Sequence, residues 1–271
     1  STPATGKSQR SSSILLIPND RDSTPVADEI TLILTLMPIA FLGSLVYGVT
    51  GFGSGLVTIP LATHFVPLPF ALAVFALVDF ASALRIGLEN PKHAAKEEIT
   101  RMLPFVLIGT VTGVTVLVNL PRSAAMLALG TFIALYAAYA LVSRPGATMV
   151  SRHWACLAGF SGGITSTLFG AGGPPYAIYL SHRPLSKEQF RATITLTTLF
   201  SVGMRLVAFV ITGLLLKAGV LLAALFAMLA AMVGLTLATL AFRHVTREFL
   251  LRVVAVLLLA NGISLIARAV G

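Results

Sequence analysis

The sequence predicts an all-α polytopic membrane protein built as two tandem repeats in inverted orientation. Three observations carry this. Of 271 residues, 56% are hydrophobic and only 11% charged, and the mean hydropathy is +0.91; a soluble domain spends about a quarter of its residues on charge to coat its surface. The charges sit in short connectors between apolar runs long enough to cross a bilayer, which takes about 20 residues each. The two halves of the chain also repeat one pattern of glycines, prolines and arginines.

The elements follow in order. Residues 1–29 are rich in Ser, Thr and Pro, and their one apolar run, Ile14 to Ile17, is too short for a signal-peptide core. They are read as a mobile tail. Spanning runs follow at Ile30 to Val49, Leu68 to Leu88, Met102 to Leu120, Ala124 to Val142, Trp154 to Phe169, Ala192 to Leu216, Gly219 to Phe242 and Phe249 to Ala269. Two segments fall short of a full span and reach only part-way across unless their neighbours help: Phe52 to Val66, broken by Pro60, and Pro174 to Leu180, set among prolines. Each follows a glycine cluster, Gly51-Phe52-Gly53-Ser54-Gly55 in the first half and Gly170-Ala171-Gly172-Gly173 in the second.

Placing Gly51 on Gly170 puts Gly43 on Gly162, and one residue of slippage puts Arg85 on Arg205; further on, Gly113 falls on Gly234. The repeats are assigned to residues 30–145 and 152–271, with a linker at 146–151. With about five segments each, an odd number, the halves lie in the membrane with opposite orientation. Loop charge agrees. If every segment crosses, Lys92, Lys96, Arg101, Arg144, Arg152, Arg183, Lys187, Arg191, Arg243, Arg247 and Arg252 share one side, and Arg122, Lys217 and Arg268 the other. The inside-positive rule makes the first side cytoplasmic and puts both termini outside.

A glycine-rich break at membrane depth survives only when buried in protein or lining a watery cavity, because an unpaired backbone group in hydrocarbon costs several kcal/mol. The half-helix that follows such a break opens with free N–H groups and a partial positive charge, which suits an anion. The candidate substrate-binding backbone is therefore Gly51, Gly53 and Gly55 with Gly170, Gly172 and Gly173, and Ser54, Thr50, Ser161, Thr165, Ser166 and Thr167 can add hydroxyls. The bland reading is close helix packing by small residues.

Charges within spanning segments are functional candidates by their cost. Arg205 lies near the middle of its segment, on a stripe with Arg191, Thr195, Thr198 and Ser201 that must face the bundle interior. Arg85 lies close to a segment end and can instead snorkel. Asp79 is the one acid within an apolar run; it either pairs with an arginine or couples a proton. Arg205, Arg85, Ser201 and Thr198 join the candidate binding residues, and Asp79 is the candidate coupling residue.

The paired glycine clusters, with Pro60-Leu61 after the first and Pro174-Pro175 and Tyr179-Leu180 after the second, and the duplicated hydrophobic layout over about residues 30–271 resemble the sulfite exporter TauE/SafE family. The resemblance implies a secondary transporter exporting small sulfur-containing or organic anions, such as sulfite, sulfoacetate or related sulfonates, across a bacterial cytoplasmic membrane. It transfers no catalytic residue. The expected partners are a small anion and the lipid bilayer, and a homo-oligomer is left open.

Other classes fare worse. The net charge of +9 lies in the connectors, where anionic lipid explains it, so nucleic acid is excluded as a partner. With one cysteine, Cys156, neither an intramolecular disulfide nor a Cys-based metal cluster forms; no P-loop or zinc-peptidase motif is present, and no cofactor is expected. Gly159-Phe160-Ser161-Gly162-Gly163 matches the G-x-S-x-G serine nucleophile, but all five histidines lie at segment ends or in loops, which leaves an intramembrane protease using Ser161 without a base. The chain is therefore not read as an enzyme. A passive anion channel is the remaining alternative.

Overall fold

The structure, a computed structural model, describes residues 25–88, 91–142, 149–241, 259 and 262–267. Residues 1–24 of the tail, most of the last predicted segment, and Arg144, Arg243, Arg247, Arg252 and Arg268 lie outside the described residues, as does the side chain of Arg122.

Every described element is helical. The α-helices are α1 (Pro25–Thr50), α2 (Ser54–Ala62), α3 (Leu68–Gly87), α4 (Lys96–Asn119), α5 (Arg122–Val142), α6 (Trp154–Phe169), α7 (Gly173–Ser181), α8 (Lys187–Ile211) and α9 (Val220–Ala241), with 3-10 turns at Pro91–His93 and Leu214–Leu216. Six helices, α1, α3, α4, α5, α8 and α9, are long and apolar enough to cross a membrane. The chain is a multi-pass membrane protein.

Three helices begin well before their apolar runs: α1 starts at Pro25, within the stretch read as tail, and α4 and α8 start early for local reasons. At the start of α4, Lys96 to Arg101 form a charged first turn and a half, with Glu97 paired to Arg101 at i,i+4. For α8 the cause is a capping box: Ser186 Oγ accepts the Gln189 N–H at 3.1 Å, and the Gln189 side chain accepts the Ser186 N–H at 3.0 Å. The helix α6 ends on Gly170 in the left-handed region, φ 66°. The Ser166 carbonyl accepts the Gly170 N–H and the Thr165 carbonyl the Ala171 N–H, an αL-type helix end.

The interior is organised around α3 and α8, which pack on each other; α3 also meets α9 and α2, and α8 meets α4 and α7. The apolar window of α3 is 67% buried, against 28–44% for the other five long helices. Outside this pair, α1 packs along α9, and α4 along α6. Glycines bring both outer pairs to backbone contact. A Cβ added at Gly109 or Gly163 would strike the Phe160 or Val106 carbonyl respectively, one at Gly113 would lie 3.1 Å from the Ile164 carbonyl oxygen, and one at Gly234 would lie 2.7 Å from that of Phe41. The outer faces keep their leucines exposed, as on α9 at Leu221, Leu225, Leu229 and Leu240, which is how a lipid-facing surface differs from a soluble one.

The basic connectors gather at one end. Ala95 N–H donates to Thr193 Oγ1 at 2.9 Å, Val150 N–H to the His182 carbonyl at 3.4 Å, and Arg183 pairs with Glu98 at 2.9 Å. At the other end His64 Nε2 lies 3.3 Å from Ser264 Oγ, and Gly219 approaches Phe70.

Candidate functional site

The two glycine clusters meet. A Cβ on Gly55 would overlap the Gly170 carbonyl, and one on Gly173 would lie 2.5 Å from the Phe52 ring. From this contact the nine-residue helices α2 and α7, each about 14 Å long, lead to opposite ends of the bundle: α2 toward His64, α7 toward Tyr179 and Glu98. Gly51 and Gly53 hold φ of 80° and 90°, left-handed values that glycine adopts without a Cβ penalty.

Beside this contact lies a charged centre. Arg205, on α8, is 0% exposed and is the largest fully buried side chain among the described residues. Its Nη2 donates to Asp79 Oδ2 on α3 at 2.9 Å, and its Nη1 to the Ser166 carbonyl at 2.7 Å. Asp79 Oδ1 accepts a 2.5 Å hydrogen bond from Ser54 Oγ, the first residue of α2. The charges match the helix ends they touch: the guanidinium meets an end carbonyl of α6, and the carboxylate is bound to the opening residue of α2. Arg205 also lies against the second glycine cluster, since a Cβ on Gly170 would be 3.3 Å from its Nη1.

Further polar groups surround Arg205. Ser201, one turn away, is 1% exposed and accepts from Tyr176 Oη at 3.0 Å. Arg205 Nε and Thr198 Oγ1 are buried with no hydrogen-bond partner among the described residues, a state expected of few buried polar atoms. The buried stripe of α8 continues through Thr195, 1% exposed, to Arg191, whose Nη2 donates to the Gly48 carbonyl at 3.1 Å.

Not every sequence candidate joins this centre. Arg85 is exposed, and its Nη1 donates to Thr236 Oγ1 at 3.1 Å and to the Met232 carbonyl at 3.3 Å, both on α9. The sequence register places it on Arg205, but it does not share that residue's surroundings. Thr50 Oγ1 donates to the Phe52 carbonyl at 2.5 Å and so braces the first glycine turn. Thr165 and Thr167 bond back to their own helix, as threonines in apolar helices do. Gly172 packs on α6, where its Cβ would lie 2.8 Å from the Gly162 carbonyl and from Ser166 Cβ. Ser161 Oγ donates to the Leu157 carbonyl at 2.6 Å, and no histidine bonds to it among the described residues. The glycines of the nucleophile motif have another use: Gly159 and Gly163, at i and i+4, are the contact points of α6 on α4. No cluster of three or more metal-ligating side chains occurs among the described residues.

Two participants escaped the sequence reading. Tyr176 carries the hydroxyl that meets Ser201; its signal is position, the first non-proline residue after the second glycine cluster. Glu98 is 5% exposed and accepts from Tyr179 Oη at 2.5 Å and from Arg183 Nε at 3.0 Å. An acid within a basic connector was its only mark.

A bundle of apolar helices that buries the Arg205–Asp79 pair where two glycine clusters meet is that of a multi-pass membrane protein. The sequence profile of the sulfite exporter TauE/SafE family matches residues 36–265, and the chain belongs to that family. No curated protein and no solved structure matches it. Members of the family are transporters rather than enzymes, and membership implies a membrane exporter of sulfite or a related sulfur-containing anion.

Proposed function

We propose that the protein is a secondary transporter of a bacterial cytoplasmic membrane that exports small sulfur-containing or organic anions, such as sulfite, sulfoacetate or related sulfonates, by alternating access. The anion binds at Arg205, between the clusters Gly51–Gly55 and Gly170–Gly173. The observation that carries this reading is a wholly buried guanidinium whose Nε has no partner among the described residues, at the contact of the two glycine clusters. A desolvated oxyanion needs donors in fixed geometry, and a planar guanidinium with the Ser201 and Thr198 hydroxyls on the same helix face supplies them.

The inverted-repeat arrangement, with repeats at 30–145 and 152–271, is supported by the way contacts exchange between halves. The pairing of α1 with α9 is mirrored by that of α6 with α4, and α3 with α9 by α8 with α4. Gly43 packs on α2 as Gly162 does on α7. The matched Gly113 and Gly234 meet α6 and α1 respectively. A pseudo-two-fold axis in the membrane plane would produce such an exchange, and rocking one repeat on the other gives alternating access.

Asp79 gives the site a coupling group. An anion added beside an already neutral Arg205–Asp79 pair would leave one buried negative charge uncompensated, which is costly. A proton taken up by Asp79 as the anion takes the guanidinium keeps the centre neutral.

Counterflow tests the carrier. Proteoliposomes preloaded with unlabelled sulfite should take up labelled sulfite faster than empty ones, because trans-acceleration requires a site that reorients when loaded. Conductive flux without trans-acceleration would mean a channel. In the same preparation, sulfite and sulfonates should raise the melting temperature more than sulfate or a carboxylate does, as mass action requires of a ligand of the native state.

The orientation follows from the gathered basic connectors. Single cysteines placed at Lys92 or Lys187 in a Cys156→Ser background should resist a membrane-impermeant maleimide in intact cells and react in inverted vesicles. Labelling from outside would reverse the assignment.

A further inference from the structure

A second feature lies at the basic end of the bundle, away from the central pair. Between the beginnings of α4 and α6 is an open groove of about 510 Å³ whose lining includes Arg101, Arg152, His153, Pro104, Phe105 and Cys156. It combines two guanidiniums and an imidazole with an apolar wall. We propose that this groove binds the headgroup phosphate of an anionic glycerophospholipid from the leaflet on the basic side, with the acyl chains lying along the outer faces of α4 and α6.

Arg101 Nη1 is buried with no hydrogen-bond partner among the described residues. Its Nη2 lies 3.5 Å from Glu97, and Arg152 Nη1 lies 3.9 Å from the same Glu97 oxygen. One carboxylate, 74% exposed, faces two guanidiniums, so the groove keeps net positive charge and a donor directed at no acceptor. A phosphate with several acceptor oxygens can bridge both arginines, where the single carboxylate makes only long contacts.

Apolar and aromatic surface adjoins this charge. Trp154 is 53% exposed and Leu157 54% on α6, and Leu107 45% and Ile108 53% on α4. An exposed tryptophan beside arginines, with leucine and isoleucine within the next two turns, is the sequence of depths a phospholipid presents: headgroup, interface, acyl chain. A free phosphate would use the arginines and leave Phe105, Pro104 and the exposed aliphatic faces without a role. The ligand would also tie α4 of the first half to α6 of the second, since Arg101 and Arg152 lie on either side of that packed pair.

Trp154 is the only tryptophan in the chain and adjoins His153 of the groove, so its fluorescence reports this place alone. The full-length protein is reconstituted in phosphatidylcholine, and a small fraction of the lipid is replaced by acyl-chain-brominated phosphatidylglycerol or, separately, brominated phosphatidylcholine. Phosphatidylglycerol is expected to quench in excess of phosphatidylcholine, with a relative association roughly five-fold higher per guanidinium engaged. Arg101→Gln/Arg152→Gln should abolish the excess while leaving quenching by brominated phosphatidylcholine at the wild-type level; that second reading shows Trp154 still facing lipid in a folded protein. Arg101→Lys/Arg152→Lys should keep part of the excess. Millimolar inorganic phosphate should leave it in place. Equal quenching by the two lipids in the wild type, an excess that survives the glutamine variant, or its removal by free phosphate would each overturn the proposal.

Discussion

Arg205→Ala is expected to abolish anion transport in proteoliposomes and to destabilise the protein by about 3–5 kcal/mol, the usual cost of leaving one member of a buried ion pair alone. Here the deserted group would be Asp79, 3% exposed, keeping only its Ser54 hydrogen bond. Asp79→Ala should be at least as harmful to folding, because it strands a guanidinium with no exposure. Replacing both members by apolar groups of similar bulk, Asp79→Leu with Arg205→Met, removes the uncompensated charge and should restore most of the stability. Transport separates two roles for the pair. If Arg205 binds the anion, the stable double variant stays inactive, and Arg205→Lys is impaired as well, since lysine keeps the charge and loses the planar fork. If the pair only fastens α3 to α8, the double variant transports normally, and the substrate role of Arg205 is wrong.

This buried pair was half legible in the sequence. The position of Arg205 in mid-segment, on a face with Thr198 and Ser201, marks it as interior by helical period alone, and Asp79 is the one acid available to it within an apolar run. What periodicity cannot give is the distance between helices far apart in the chain. Ser54 on Asp79 and the Ser166 carbonyl on Arg205 depend on how α2 and α6 end, and those ends depend on glycines whose left-handed geometry is only suggested by composition. Arg85 shows the limit of arguing by repeat: it matches Arg205 by register, yet a turn from the helix end it reaches Thr236 and stays exposed. The G-x-S-x-G run shows another. Two glycines at i and i+4 suit a nucleophile loop or a helix contact, and here they face the α4 backbone. The Glu98 cluster was least legible, because Tyr179 and Arg183 approach it only once α7 has folded back to the basic end.

Gly55→Ala is expected to be the most damaging single methyl addition at the centre. Gly55 has ordinary helical φ, so alanine fits its backbone, and in an exposed helix the change would stabilise by reducing unfolded-chain entropy. The obstacle is steric. Its Cβ would overlap the Gly170 carbonyl, a backbone atom in the left-handed turn that ends α6, which cannot swing aside as a side chain does. Either α2 or α6 must move, and either movement pulls on the ion pair, since Ser54 binds Asp79 and Ser166 binds Arg205. Overpacking of this kind costs about 1–3 kcal/mol or more, and transport should fall at least ten-fold because two contacts of the charged centre shift together. Gly213→Ala provides the contrast: φ is 72° but nothing lies within 4 Å, so it carries only the left-handed penalty of about 1–2 kcal/mol, far from the centre. Measured side by side, Gly213→Ala should lower the melting temperature and leave the sulfite KM unchanged, while Gly55→Ala should change both. A Gly55→Ala protein that transports like the wild type would show that the meeting of the two glycine clusters is packing alone.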